Sequence, residues 1–259
     1  MEFQFISNGT VVTIPEITEE YAVKHLTARL VPETMHAPVM EDVGGGLNLV
    51  YCLNLSPFGY GEVPLTTQAL YKLFPKQHVG MLSLFLHETA LSNLKKKKTI
   101  LLPLEDIVMA GEDLENLPDE WMASDRQCAL GVCVFMAKHF DAPALLLDAD
   151  IDEKIRSLDL FKDGYYVIPS SVHEVLLAPK TLKLDPEDLL QINHEINAQE
   201  VEPNAFLGEH IYEVTDCGFL TMGSIRICAA ERLSWKSMER SVSFHMHFAL
   251  AAVPASMKT

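Results

Sequence analysis

A chain of 259 residues that is 48% hydrophobic and 22% charged carries enough apolar material for one large core or two modest ones, which excludes a disordered or fibrous polypeptide. Lys and Arg number 20 against 36 Asp and Glu, a formal charge of −16, so binding along a phosphate backbone is disfavoured and nucleic acid is not an expected partner. Five cysteines, an odd number with no Cys-x-x-Cys pair, give neither a disulfide framework nor a zinc ribbon. They suit a reducing compartment.

In chain order, Phe3 to Ile6 and Val11 to Ile14 flank Ser7-Asn8-Gly9, a hairpin signal. The first residues lack a basic segment followed by a long apolar one, and no later run approaches 18 apolar residues, so the expectation is a cytoplasmic protein with no membrane partner. Thr18 opens a helical pattern through Tyr21, Leu26 and Leu30 that Pro32 stops. Gly44-Gly45-Gly46 precedes the strand candidate Leu47 to Leu53. A phosphate cradle needs its glycines after a strand and before a helix, so this is a turn.

The loop Ser56 to Gly61 offers Phe58 and Tyr60 as a possible binding surface, although such aromatics more often pin a loop to the core. A short helix from Thr66 halts at Pro75, and a longer one runs from about Val79 to four consecutive lysines, Lys95 to Lys98, which read as a solvated cationic cap. The dipeptide His87-Glu88 inside it recurs at His173 and His194, and reads as chance in a chain with ten histidines. Thr99 to Leu102 is a strand, and Glu105 to Glu120 holds seven acids and no base, an ordered acidic surface or linker.

Cys128 to Ala137, Ala144 to Leu147 and Tyr165 to Ile168 are the expected inner strands of a second sheet. Between them Asp148, Asp150, Asp152 and Glu153 imitate a calcium loop without its sixth-position glycine. They are better explained as N-terminal acids of a helix over Ile151 to Leu160.

The most chemically varied stretch is Tyr165 to Pro179, where Pro169 ends a strand and Ser170, Ser171, Val172, His173 and Glu174 follow. Two local structures fit: a helix with Ser171 as N-cap and Glu174 three residues on, or a strand, turn and strand with His173 at the corner. The catalytic candidates are Ser170 or Ser171 as nucleophile with His173 and Glu174 as acid and base. Adjacent residues point in different directions, so a structural turn or cap is preferred.

The pattern Tyr-x-Ile-Pro-Ser-Ser-Val-His-Glu-Val, with Asn197 and Glu209-His210-Ile211-Tyr212 downstream and Ala129-Leu130-Gly131 to Leu147 upstream, resembles an uncharacterised bacterial family carrying a domain of unknown function. The resemblance covers about Trp121 to Val214. It implies bacterial origin and no particular chemistry.

Beyond it, Asp185-Pro186-Glu187-Asp188 starts a helix whose buried stripe is expected to be Leu189, Ile192 and Ile196. Asp185 to Asp216 contains nine acids and no Lys or Arg, which makes Glu200, Glu202, Glu209 and Glu213 the expected contacts for a basic protein partner. Ile211 to Val214 and Phe219 to Met222 read as a hairpin. From Ser224 on there are five bases and two acids, and His245-x-His247 is a weak metal candidate that lacks a third ligand. No cofactor is expected.

The fold expected is α+β, with mixed or antiparallel sheets flanked by short helices, as one body or as two subdomains sharing one core. Residues 1–120 form its N-terminal part, 121–223 the part bearing the motif, and 224–259 a C-terminal extension. The function expected is a non-enzymatic binding module with an acidic face; the alternative is a hydrolase-like or transferase-like enzyme built on His173 and Glu174.

Overall fold

The structure is a computed structural model that describes residues 3–7, 10–14, 17–110, 121–123, 127–137, 142–199, 205–215 and 218–221. The fold is α+β, and every pairing between its named strands is antiparallel. The hairpin of β1 (Phe3–Ser7) and β2 (Thr10–Ile14) opens it, with Phe3 opposite Ile14. Thr18 then caps α1 (Glu19–His25), its hydroxyl accepting the Tyr21 N–H at 3.1 Å.

The helix stops seven residues earlier than the Pro32 boundary suggested, because the chain enters β3 (Leu26–Pro32), which pairs along its whole length with β5 (Leu47–Asn54). Leu26 and Leu30 fit a helical spacing, but with Ala28 they also fit alternation, and all three are buried on one face. The break is stabilised from outside: the Asn93 side chain donates to the carbonyls of Val23 and Leu26 at 2.7 and 2.9 Å. Those carbonyls would otherwise be left open at the end of the helix.

Two short strands, β4 (Met40–Asp42) and β6 (Glu62–Pro64), occupy the other edge of β5 in succession. Thr66 caps α2 (Thr67–Leu73), and α3 (Val79–Lys95) follows. A second sheet of six strands has the order β12, β11, β9, β10, β8, β7. Its members are β7 (Thr99–Pro103), β8 (Cys133–Ala137), β9 (Tyr165–Ile168), β10 (Glu174–Pro179), β11 (Tyr212–Thr215) and β12 (Gly218–Thr221). The short helix α4 (Leu104–Ala110) leaves β7, and α5 (Ala149–Arg156) and α6 (Pro186–Gln199) precede β9 and β11.

Ala144 to Leu147 is not a strand. The segment Ala142–Leu147 is a 3-10 turn buried from Ala142 to Leu146. A short apolar run has no period that separates the two outcomes, and here the run is covered on all sides, where local hydrogen bonds serve its backbone better than an open ladder.

One continuous cluster takes Leu49, Tyr51 and Leu53 from β5, Leu86 and Ala90 from α3, Leu145 and Leu146 from the 3-10 turn, Phe135 from β8 and Val175 and Leu177 from β10. The opposite face of the six-stranded sheet is covered separately: Val134, Ile168, Leu176 and Ala178 meet Leu189 of α6.

The turn before β5 docks on the β11–β12 hairpin. Phe219 donates its N–H to the Val43 carbonyl at 2.8 Å. Gly44 and Gly59 share the same left-handed φ of 83°, but a Cβ on Gly44 would meet the Phe219 carbonyl oxygen at 2.5 Å, whereas one on Gly59 would meet nothing within 4 Å. Gly59→Ala should therefore lose only the backbone preference, about 1 kcal/mol. Gly44→Ala should lose roughly 1–3 kcal/mol more as the turn is pushed off the hairpin. Urea denaturation of the two variants measures the difference directly.

Candidate functional site

The Pro169–Glu174 corner is a strand, turn and strand, so the helix that Ser171 and Glu174 were able to start is absent and Glu174 opens β10. Register explains the outcome. Glu174 to Leu177 pair with β8 while Leu176 to Pro179 pair with β9, which commits the segment to the sheet on both edges.

Ser170 is buried and its hydroxyl donates to the Glu174 carbonyl at 2.9 Å. The Ser171 hydroxyl accepts the backbone N–H of His173 and of Glu174 at 3.1 and 3.2 Å, while its own N–H donates to the Glu174 carbonyl at 3.0 Å. Both serines thus close the turn on itself. Val172 ties it outward by donating to the Ala205 carbonyl at 2.9 Å. His173 is exposed beside it.

Glu174 is half-buried, and burial pushes its carboxyl above the ordinary range while His173 pulls it part of the way back. A carboxyl whose folded-state value is raised binds protons more readily folded than unfolded, so its charge is a liability at neutral pH that disappears in acid. Glu174→Gln should raise the urea midpoint at pH 7, with the gain shrinking as pH falls through the raised folded-state range and gone below the ordinary range for glutamate. A gain that persists unchanged at low pH would mean that the substitution acts through packing instead.

A second polar group was passed over in the sequence. Glu41 lies on the core side of β4, where its carboxylate accepts the hydroxyl of buried Tyr51 and stands 3.3 Å from Nδ1 of His87 on α3. Burial, and then the charge of Glu41, hold the Tyr51 phenol well above its usual range. His87 lines a cleft of about 320 Å³ with Leu84, Leu91, Ser92, Lys95 and Leu147.

The geometry fixes an imidazole of α3 against a carboxylate of β4. Nothing in the sequence spacing pairs residue 41 with residue 87. The far end of the cleft is closed by charge pairing: Lys95 reaches Asp148 at 3.0 Å and Asp150 at 2.8 Å, and those bonds raise its pKa. Asp148 also caps α5. The first lysine of the run is therefore a joint between α3 and α5 rather than a solvated cap, and Lys97 stands 3.6 Å from Glu62.

The third group is α6. Leu189 faces inward as expected, but Ile192 is 37% exposed and Asn193 is fully buried. Among the described side chains the inward residues are Leu189, Asn193 and Asn197 at intervals of four, while that of Ile196 lies outside them; both asparagine side chains donate to the Gly208 carbonyl, at 3.4 and 3.0 Å. Apolar spacing could not reveal this, because the anchoring is polar.

Asp185, Glu187, Asp188, Glu195 and Glu209 are exposed. Glu213 is half-buried and holds Lys180 at 2.9 Å. Phe58 lies against the edge of Tyr21 at 5.3 Å between centroids, and Tyr60 packs edge-on against Phe5 at 5.1 Å. Glu200, Glu202, His245 and His247 lie outside the described residues. Among the described residues, no group of three or more His, Cys, Asp and Glu side chains is placed to hold a metal ion, and no helix is long and apolar enough to cross a membrane.

No curated protein and no solved structure matches the chain. A family does, over residues 76–214, which is more than half of the sequence and begins at α3, well before the Trp121 boundary that the resemblance gave. The chain belongs to that family, the family of unknown function DUF5688.

Proposed function

We propose that this chain is a cytoplasmic bacterial protein acting as a non-enzymatic binding module, which takes a basic protein partner on the outward face of α6. The observation that carries the reading is the composition of that face. Leu190 and Ile192, each 37% exposed, sit among Glu187, Asp188, Gln191 and Glu195, and Glu209 lies in the loop that follows. Aliphatic side chains interleaved with acids suit a partner surface that is both cationic and apolar.

Among the described residues, none of Glu187, Asp188, Glu195 and Glu209 is engaged by a Lys or Arg, and no such residue occurs from Asp185 to Asp216. Glu200 and Glu202 belong to the same acidic run. Glu213 contributes less, since Lys180 already neutralises it. The Phe58–Tyr60 loop is the lesser candidate surface, because both rings are used against the protein itself. The free thiols of Cys52, Cys128 and Cys133 agree with a reducing compartment.

A second reading, a hydrolase-like or transferase-like enzyme at His173 and Glu174, draws on the raised carboxyl of Glu174. It is the weaker of the two, because the Ser170 hydroxyl proton is given to a carbonyl and the Ser171 hydroxyl serves two backbone N–H groups.

The test begins with capture of partners from bacterial extract, then titrates the purified partner against wild type and against the triple variant Asp188→Asn, Glu195→Lys, Glu209→Lys. The expected result is a loss of affinity of about ten-fold or more, with binding that weakens as salt rises. Glu153→Lys with Asp159→Lys, both exposed and away from α6, serves as the control for charge alone. Equal weakening by the control would remove α6 as the docking face.

A further inference from the structure

The cleft beside His87 lies between α3 and the start of α5, and it shares no lining residue with the Pro169–Glu174 corner or with the acidic face of α6. Two neighbouring rows of α3 form one wall: His87, Leu91 and Lys95 at intervals of four, with Glu88 and Ser92 beside them. Leu147 and Asp148 face them. The volume, about 320 Å³, falls at the lower end of the range for small-molecule sites.

The imidazole is held from behind. Side-chain exposure is 20% for His87 and 13% for Glu41, and the Glu41 carboxylate takes both the Tyr51 hydroxyl and Nδ1 of His87. An ionised carboxylate only accepts, so Nδ1 carries the hydrogen and the neutral ring keeps its lone pair on Nε2. Among the described residues Nε2 has no hydrogen-bond partner. The Glu88 carboxylate and the Ser92 hydroxyl, both at exposed positions, have none either.

The one cation of the cleft is already committed. Asp148 and Asp150 hold the Lys95 ammonium at 3.0 and 2.8 Å, and the second Asp148 oxygen accepts the N–H groups of Asp150 and Ile151. Nε2, Glu88 and the Ser92 oxygen remain, all able to accept. Glu41, Glu88, Asp148 and Asp150 are four carboxylates around one ammonium, so the surroundings are net negative whether the imidazole is neutral or protonated. A cation is favoured there and an anion is repelled. An ammonium offers three donors and no acceptor, which matches three open acceptors, and Leu91 and Leu147 supply apolar surface beside them.

We propose that this cleft binds a small primary amine with an aliphatic body. Its ammonium donates to Nε2 of His87, to Glu88 and to Ser92, and its hydrocarbon lies on Leu91 and Leu147. Glu41 is the positioning residue, since it sets which ring nitrogen of His87 meets the ligand.

Titration of the nitrogen-15-labelled full-length protein with n-hexylammonium chloride tests this, at constant salt and at pH 8, where imidazole is ordinarily neutral. The expected result is saturable shifts of the backbone amides from Leu84 to Lys95 and from Leu147 to Ala149, with a Kd on the order of 1 mM. The Nε2 resonance of His87 should move with them. 1-Hexanol should bind about ten-fold more weakly, and hexanoate should give no saturable shift. Glu88→Gln should weaken binding about three-fold or more, whereas Glu187→Gln, equally exposed on α6, should leave it unchanged. The proposal is overturned if wild type shows no saturable shift, if the shifts fall outside these two segments, or if the His87 Nε2 resonance stays still. Equal binding of 1-hexanol or hexanoate, or equal weakening by the two variants, overturns it as well.

Discussion

The arrangement depends on a segment with almost no polar character buried between two sheets. Ala142 to Leu146 is covered by α3, β3, β8 and β10 together. A stretch in that position cannot pair as a strand, since both its neighbours already have their ladders, and it cannot leave backbone groups bare. A tight turn with local bonds answers both demands, and the alanines at 142 and 144 let the surrounding elements close in. Where the segment emerges, Asp148 performs two tasks: it caps α5 and receives Lys95 from the end of α3. The apolar wedge and the charged clasp thus act on the same pair of helices.

The rest of the joining is done by groups that cost little volume. A glycine turn presses on the β11–β12 hairpin, and Asn93 supplies the hydrogen bonds that let α1 become β3 with no intervening loop. The Glu41, Tyr51 and His87 group works similarly, since it places a carboxylate on the inner side of a short edge strand and satisfies it from β5 and from α3. A charge turned inward at an edge also discourages pairing with another chain.

Most element positions were legible because their signals were local. Thr18, Thr66 and the Asp185-Pro186 pair mark helix starts, and Pro169 marks the end of β9. What escaped was decided by distant partners. Leu26 to Leu30 satisfies both periods until β5 is known to lie beside it, and Ala144 to Leu147 has no period at all. The Ser171–Glu174 spacing serves a helix start and a strand corner equally, and the flanking ladders decide. Of the sites, the acidic run was readable as a count of charges, whereas the carboxylate anchoring His87 lies 46 residues away in sequence and leaves no trace in any window.

Helix α6 is attached in an unusual manner. Leu189 is its one described apolar residue that is fully enclosed, and two amides converge on a single carbonyl at Gly208. Apolar contacts tolerate sliding, but hydrogen bonds of fixed direction do not, so the two amides give the helix one seat. Separation of the amides from Gly208 would release all four turns together instead of fraying them one by one. The helix is then a cooperative unit of its own, and occupancy of its outer face would be felt as slower exchange of its amide protons with solvent.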